Sequence, residues 1–192
     1  MREMFMNNIY EQLMYTTLRI ENINENNEVI SIGTGFLLRR PIGDNKFKIY
    51  LVSNKHVLCY TDSIAIKFTK AKDDAPDIGN SIRFPIKNIK NNIAFHPNPD
   101  VDVAILECTG LFLLLPNQLY VKTVSYDMLA SFNEPELSVV ENVYFIGYPD
   151  NRYDEKNNLP LVRTGMISSN PKYDYNGNPV IIIDAQVFPG SS

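Results

Sequence analysis

Short apolar runs rich in β-branched and aromatic residues recur along this sequence, and they constrain its fold more than any other feature. Asn, Asp, Gly or Pro bounds most of them, as is typical of β-strands that are joined by turns. Five such runs lie within the first 107 residues, at 28–40, 46–54, 63–70, 81–88 and 101–107. Their hairpin-length spacing predicts a β-barrel or a β-sandwich.

The second half of the sequence begins less regularly and then returns to the same pattern. Residues 125–134 predict one or two helical turns. Predicted strands follow at 141–149, 159–169 and 179–188. Between the last two, the dipeptide Asn176-Gly177 is typical of a hairpin turn. Three strands are too few to close a barrel of the usual size, so we expect either a fragment of a longer protein or an open sheet.

The start of the chain differs from the β-rich remainder. Apolar residues of the stretch 3–15 recur at a helical period, which predicts a short N-terminal helix. The stretch 21–28 is rich in Asn and Glu and predicts a polar turn. The chain has 192 residues, of which 44% are hydrophobic, so it can bury a sizeable core. Together these patterns predict an all-β fold, with one β-barrel followed by part of a second β unit.

The composition and charge argue against several classes of function. The formal net charge is -4 and no basic tract stands out, so nothing in the charge suggests a nucleic-acid partner. No apolar stretch approaches the length of a membrane span, so we expect no membrane partner. The N-terminus lacks the apolar stretch of a signal peptide, and we therefore expect a cytoplasmic protein.

The sequence contains two cysteines, Cys59 and Cys108, and two histidines, His56 and His96. Small secreted scaffolds use more cysteines, so we expect two buried free thiols, although a bridge between them stays open. With so few Cys and His residues, no cluster has the spacing of metal ligands. Neither a metal nor another cofactor is implied.

The two histidines occupy different settings in the sequence. His56 follows the apolar run 49–53, at the point where a predicted strand gives way to a turn. Such a histidine is partly shielded and well held, which suits a general base, although a structural role is commoner for a histidine taken alone. His96 lies in a predicted loop before a proline, which indicates a surface position.

Asp102 lies in an alternating stretch, on the face that also carries Ala104 and Leu106. This pattern predicts a buried carboxylate, which needs a partner because its desolvation is unfavourable. An imidazole N–H is a suitable partner, since the acid then fixes the tautomer and stabilises the imidazolium. Backbone amides are an equally good alternative. Asp100, two residues earlier, is predicted to lie in the preceding turn.

The chain ends in the hexapeptide VFPGSS, which follows the β-like run VIIIDAQ. In a Gly-x-Ser corner the glycine lets the backbone turn, so that its N–H and the N–H of the serine can point at one oxygen. Gly190 and Ser192 supply this pattern, with Ser192 as the candidate nucleophile. Taken alone the motif is weak, because Pro-Gly-Ser turns are common.

His56, Asp102 and Ser192 follow one another in the order His, Asp, Ser, each in its own apolar strand context. Here the sequence resembles the trypsin-like (chymotrypsin-fold) serine peptidases, in particular the bacterial HtrA-like and glutamyl-endopeptidase-like branches. The resemblance extends over residues 28–192. It rests on IGTGFLL (32–38), YLVSNKHVL (50–58), HPNPDVDVAIL (96–106), VYFIGYP (143–149), VRTGMISS (162–169) and DAQVFPGSS (184–192).

The resemblance implies a double antiparallel β-barrel with a catalytic triad in the cleft between the barrels. The N-terminal barrel, residues 1–112, would carry His56 as general base and Asp102 as its orienting partner. The C-terminal barrel, residues 113–192, would be incomplete as given and would end at the nucleophile Ser192.

The resemblance also implies a reaction and its substrates. Peptide bonds of a protein or peptide substrate would be hydrolysed through an acyl-enzyme, with the backbone N–H groups of Gly190 and Ser192 as the oxyanion hole. Members of the family continue beyond this serine with further strands, so we expect the sequence to be a truncated part of a longer protein. The alternative is a catalytically inactive trypsin-like domain that binds a peptide or a partner protein. A third possibility is an all-β scaffold without chemistry in a cleft.

Overall fold

The structure, a computed structural model, consists mainly of antiparallel β-strands with a few short helices. It describes residues 8–115 and 117–186. The strands in these residues are β1 (Thr17–Ile23), β2 (Val29–Gly43), β3 (Lys46–Ser53), β4 (Ser63–Lys72), β5 (Ala75–Lys87), β6 (Ile93–Phe95), β7 (Ala104–Glu107), β8 (Val124–Ser125), β9 (Asn142–Gly147), β10 (Leu161–Ile167) and β11 (Ile183–Ala185).

Short helical segments accompany the strands. They are the α-helices α1 (Ile9–Met14), α2 (Lys55–Leu58) and α3 (Thr109–Leu114), and single 3-10 turns at Ile89–Asn92, Tyr126–Met128 and Pro149–Asn151. The side-chain oxygen of Asn8 caps α1 by accepting the N–H of Tyr10 at 2.9 Å. The structure thus confirms the predicted N-terminal helix from residue 9 onward, and it confirms a helical turn within residues 125–134.

The strands form two sheets. The larger sheet has the order β5-β4-β1-β2-β3-β7-β6, and the short strand β8 lies parallel to β2 at its side. The smaller sheet has the order β11-β10-β9 and is antiparallel. Within residues 8–115 and 117–186, neither sheet closes into a barrel. The predicted all-β, antiparallel fold class is confirmed, and the barrels of the predicted double-barrel form are open in this part of the chain.

The core lies against the larger sheet and consists of aliphatic and aromatic side chains from its central strands. Ile20 in β1, Leu51 in β3 and Ile64 in β4 have no exposed surface. Leu58 of α2 joins the same cluster and is equally buried. Burying such a side chain contributes roughly 1.5–3 kcal/mol relative to an exposed one. The strands around α2 are therefore held firmly, and α2 is anchored on them.

Thr34 of β2 joins the two sheets close to the end of β3. Its Oγ1 accepts a hydrogen bond from the backbone N–H of Tyr148 at 3.1 Å. Gly147 precedes Tyr148, and a Cβ there would make a tight contact of 3.0 Å with the same Oγ1, which glycine avoids. The backbone oxygen of Thr34 accepts the hydroxyl of Ser53 at 2.6 Å. Thr34 thereby connects the smaller sheet to the last residue of β3.

Several predicted elements differ from the structure in their extent, and the predicted strand 81–88 is part of the longer β5, which already begins at Ala75. The predicted strand 101–107 begins only at Ala104, and the predicted polar turn 21–28 overlaps the end of β1. The predicted strand 179–188 is reduced to β11, and its last two residues lie outside the described residues. The dipeptide Asn176-Gly177 does form a turn, with positive φ angles of 53° and 76° at its two residues.

Candidate active site

The pairing of β3 with β7 decides which side chains meet at the candidate site. The two strands are antiparallel, and Ser53 at the end of β3 pairs with Ala104 at the start of β7. Residues that follow β3 therefore lie beside residues that precede β7. This brings His56 of α2 next to Asp102, although 46 positions separate them in the sequence.

His56 and Asp102 contact each other through two pairs of atoms. Nδ1 of His56 lies 2.5 Å from Oδ2 of Asp102, and the backbone N–H of His56 donates to Oδ1 at 3.0 Å. An ionised carboxylate can only accept hydrogen bonds, so the hydrogen in the first contact belongs to Nδ1. Nε2 is then the nitrogen of the neutral ring that can accept a proton. The structure thus brings together two of the three residues predicted for the site.

The predicted burial of Asp102 is wrong. Its side chain keeps 46% of its surface exposed, and that of His56 keeps 55%. The reason is local, because β7 begins at Ala104 and the alternation of buried and exposed residues holds only within a strand. Ala104 and Leu106 themselves are buried, as expected.

The pKa of Asp102 is lowered from its ordinary value. Partial desolvation acts in the opposite direction and would raise the pKa. Hydrogen bonds from the imidazole and the backbone N–H of His56, the electrostatic attraction of His56 and, last, a hydrogen bond from Asn54 outweigh it because they favour the ionised form. Asp102 is therefore an anion at neutral pH, as a partner of an imidazolium must be.

A third side chain, not predicted from the sequence, also contacts Asp102. Nδ2 of Asn54 lies 3.2 Å from Oδ2 of Asp102 and 3.1 Å from the backbone oxygen of the same residue. Asn54 directly follows β3, and an asparagine at the end of a strand is usually interpreted as a turn residue. Only the register between β3 and β7 reveals the contact.

Gly33 of β2 supports the histidine from behind. A Cβ at Gly33 would lie 2.4 Å from Cγ1 of Val57, a distance that real contacts do not show. Val57 follows His56 in α2 and is 5% exposed. The position of α2 on the sheet therefore depends on residue 33 being a glycine, which has no side chain.

A cleft of about 550 Å³ opens beside Asn54 and Asp102. Phe36 lines it from the larger sheet, and Tyr144 and Ile146 line it from the smaller sheet. A largely apolar cleft between two sheets, next to a pair of titratable side chains, is typical of a ligand or substrate site. Asp102 thus lies at the edge of a space that could receive a substrate, and His56 contacts Asp102 there.

The loop between β6 and β7 leads the chain to Asp102. His96 and Asp100 are exposed in this loop, and Asp100 lies in a turn, as predicted for both. Asn98 joins them, because its backbone N–H donates to Nδ1 of His96 at 3.1 Å and its Oδ1 accepts the N–H of Asp100 at 3.0 Å. These contacts fix the course of the loop before Asp102.

Both cysteines are free thiols, as predicted. Cys108 is buried, whereas Cys59 is only partly buried, so the prediction of two buried thiols is wrong for Cys59. Burial raises the pKa of Cys108 to about 12, and its thiol donates to the backbone oxygen of Ile49 at 3.5 Å. Cys108 is therefore a structural thiol that faces the core.

The described part of the chain holds no group of three or more His, Cys, Asp or Glu residues that could bind a metal ion. No helix within 8–115 or 117–186 is long and apolar enough to cross a membrane. Gly190 and Ser192, the candidates for the oxyanion hole and the nucleophile, lie outside the residues that the structure describes.

The sequence matches a known protein family over most of its length. The family described as the trypsin-like peptidase domain matches residues 33–192, which include Gly33, His56, Asp102 and the Gly-x-Ser corner. The match identifies no particular branch of the family. No curated protein matches the sequence. Since the matched region covers most of the chain, the chain belongs to the family of trypsin-like peptidase domains.

Proposed function

We propose that this chain is the catalytic part of a serine endopeptidase, with His56, Asp102 and Ser192 as its triad. The observation that carries the proposal is the 2.5 Å contact between Nδ1 of His56 and Oδ2 of Asp102. It occurs in a chain that belongs to a peptidase-domain family, and the family match extends to residue 192. A peptidase domain implies protein or peptide substrates.

In the proposed reaction, Asp102 holds His56 in the Nδ1–H tautomer, so that Nε2 accepts the hydroxyl proton of Ser192. Oγ of Ser192 bonds to the scissile carbonyl carbon. The imidazolium then donates that proton to the leaving amine while the C–N bond breaks, which leaves an acyl-enzyme. A water molecule that gives a proton to Nε2 attacks the ester, and the imidazolium returns the proton to Oγ as the acid product leaves.

The negative charge that develops on the carbonyl oxygen needs donors of its own. We assign this role to the backbone N–H groups of Gly190 and Ser192, which a Gly-x-Ser corner can direct at one oxygen. Loss of one such donor typically lowers kcat by about 10²- to 10³-fold. No metal or cofactor takes part in this proposal.

The proposed catalytic cleft lies between the two units predicted from the sequence, residues 1–112 and 113–192. His56 and Asp102 belong to the first unit and Ser192 to the second. The HtrA-like or glutamyl-endopeptidase-like branch and the cytoplasmic location stay predictions from the sequence.

Labelling of the full-length gene product with a fluorophosphonate probe tests the proposal. We expect the parent to be labelled, Ser192→Ala to stay unlabelled and His56→Ala to be labelled far more slowly. Ser191→Ala is the matched control, because it removes the neighbouring hydroxyl and should be labelled like the parent.

Two results would overturn the proposal. Labelling that persists in Ser192→Ala would exclude this serine as the nucleophile. A folded parent that stays unlabelled would exclude the active peptidase, and it would favour an inactive trypsin-like domain that binds a peptide or a partner protein.

A further inference from the structure

Asn54 stands at the position directly before α2, where an asparagine usually accepts a hydrogen bond from the first turn of the helix. Its side chain makes no such bond here. Its amide instead contacts Asp102, 48 positions away, at Oδ2 and at the backbone oxygen. Asn54 therefore does not act as the side-chain N-cap of α2.

Asp102 takes over the capping role that Asn54 leaves open. The backbone N–H of His56, the second residue of α2, is a donor that a capping side chain normally satisfies. It donates to Oδ1 of Asp102 at 3.0 Å. One carboxylate oxygen of Asp102 thus caps the helix while the other contacts the imidazole.

This double use requires the carboxylate of Asp102 to keep one orientation. Asp102 lies before β7 begins and is nearly half exposed, so rotation about its Cα–Cβ bond is not limited by close packing. The amide of Asn54 bridges Oδ2 and the backbone oxygen of Asp102 at 3.2 Å and 3.1 Å. Such a bridge ties the side chain to its own backbone.

We infer that Asn54 is a positioning residue of the proposed peptidase, whose amide fixes the rotamer of Asp102 so that Oδ2 meets Nδ1 of His56. The kinetic part of this inference rests on the proposed function, whereas the geometric part does not. Loss of one hydrogen bond to a charged group should slow the acylation step about tenfold or more. Binding of the substrate should change little, because Asn54 acts through Asp102.

The tautomer of His56 gives a direct test that needs no catalytic activity. Long-range 1H–15N spectra of the labelled protein, at a pH at which the ring is neutral, distinguish Nδ1–H from Nε2–H. With two histidines in the chain, His96→Gln assigns the signals of His56. We expect mainly Nδ1–H in the parent and a clear gain of Nε2–H in Asn54→Ala.

The rank order of substitutions separates positioning from helix capping. Asp and Ser are about as good as Asn at this helix position, so a capping role predicts that both retain the parent tautomer while Ala does not. A positioning role predicts the opposite for Asp, because its carboxylate cannot donate to Asp102 and repels it. We expect Asn54→Asp to shift the tautomer more than Asn54→Ala. Asn54→Ser should resemble Asn54→Ala, because its shorter side chain has a single O–H and cannot bridge the two oxygens of Asp102.

Asn157→Ala is the matched control. Nδ2 of Asn157 also donates to a carboxylate oxygen, that of the exposed Asp154, at 2.7 Å. This pair lies in the loop before β10, so its loss should leave both the tautomer of His56 and the rate of probe labelling unchanged. Any effect common to asparagine-to-alanine changes would appear in this control.

The tautomer of His56 in the Asn54 variants decides the inference. A tautomer like that of the unsubstituted protein in Asn54→Ala, or in Asn54→Asp, overturns it. If Asn54→Asp does not fold, Asn54→Ser decides instead, since a parent-like tautomer there indicates capping.

The labelling experiment separates this inference from the proposed function. If the parent is never labelled by the probe, the proposed function fails while the tautomer still decides the role of Asn54. If labelling slows about tenfold in Asn54→Ala at an unchanged half-saturating probe concentration, the proposed function and the positioning role of Asn54 are both supported.

Discussion

Arg19 of β1 donates a hydrogen bond from Nε to Oδ1 of Asn151 at 3.0 Å, and it thereby joins the larger sheet to the turn after β9. Its guanidinium also bonds Glu21 and lies 5.1 Å from the centre of the Tyr153 ring. Glu21 accepts a second hydrogen bond, from Nε of Arg83 at 2.6 Å. Because Arg19 and Glu21 are both buried, each charge depends on the other for compensation.

Glu21→Gln should destabilise the protein strongly. The change keeps the shape of the side chain but leaves the charge of buried Arg19 without its carboxylate partner. Breaking a buried pair in this way costs about 3–5 kcal/mol. The second partner of Glu21, Arg83, is partly exposed and can be solvated by water, so we expect a loss near the lower end of this range. Unfolding in urea, followed by circular dichroism, measures the free energy of unfolding.

The control for this change is Glu107→Gln. Glu107 pairs with Lys48 at 3.6 Å, and both side chains are more than 40% exposed. An exposed pair contributes about 1 kcal/mol or less. Equal losses in the two variants would show that the buried network contributes no more than a surface pair.

Gly33→Ala should destabilise the protein and slow probe labelling. The new Cβ would overlap Cγ1 of Val57, which is β-branched and cannot easily rotate away. Overpacking of this kind costs about 1–3 kcal/mol, and here it would push on the residue next to His56. Thermal unfolding and the labelling rate are the two measurements.

Two further variants identify the cause of that loss. In a chain that carries Val57→Ala, the change Gly33→Ala should cost less than in the parent, because the two methyl carbons at 2.4 Å and 2.7 Å are gone. Gly110→Ala in α3 is the control, since nothing lies within 4 Å of its added Cβ. We expect it to leave stability unchanged or raise it by about 0.5–1 kcal/mol. An equal cost in both Val57 backgrounds would contradict the steric explanation.

The strands with clear alternation could be predicted from the sequence, whereas β1 could not. Its second half carries Glu21 and Asn22, which locally indicate a polar turn. The fold buries both, because Arg83, 62 positions away, helps to compensate the charge of Glu21, and the hydroxyl of Thr61 donates to Oδ1 of Asn22. A local sequence pattern cannot reveal a partner that comes close only through the order of the strands in the sheet.

The candidate site shows the same limit. The residue types and order of His56 and Asp102 allowed their contact to be predicted, because the chemistry requires an imidazole beside a carboxylate. The exposure of Asp102 and the amide contact of Asn54 depend on where β7 begins and on its register with β3. Neither the exposure of Asp102 nor the contact of Asn54 can be predicted from the spacing of residues in the sequence.

The lowered pKa of Asp102 predicts how its contribution to stability depends on pH. A carboxylate whose pKa is lower in the folded than in the unfolded chain stabilises the fold above the unfolded value, near 3.8. This contribution is lost as the pH falls through the lower folded value. Asp102→Asn should therefore flatten the acid side of the stability curve below about pH 4. Urea unfolding between pH 3 and pH 6 measures this, with Asp100→Asn as control, and parallel curves for parent and Asp102→Asn would contradict it.

The two thiols should differ in reactivity, because burial raises the pKa of Cys108 from 9.0 to about 12 and the thiolate is the reactive form. In the native protein at pH 8, iodoacetamide should modify the partly buried Cys59 first, and Cys108 should react only as the protein unfolds. Mass spectrometry of tryptic peptides follows each site, and a chain with Cys59→Ser isolates Cys108. In urea both thiols should react at similar rates. Rapid native modification of Cys108 in the Cys59→Ser chain would show that this part of the core opens readily.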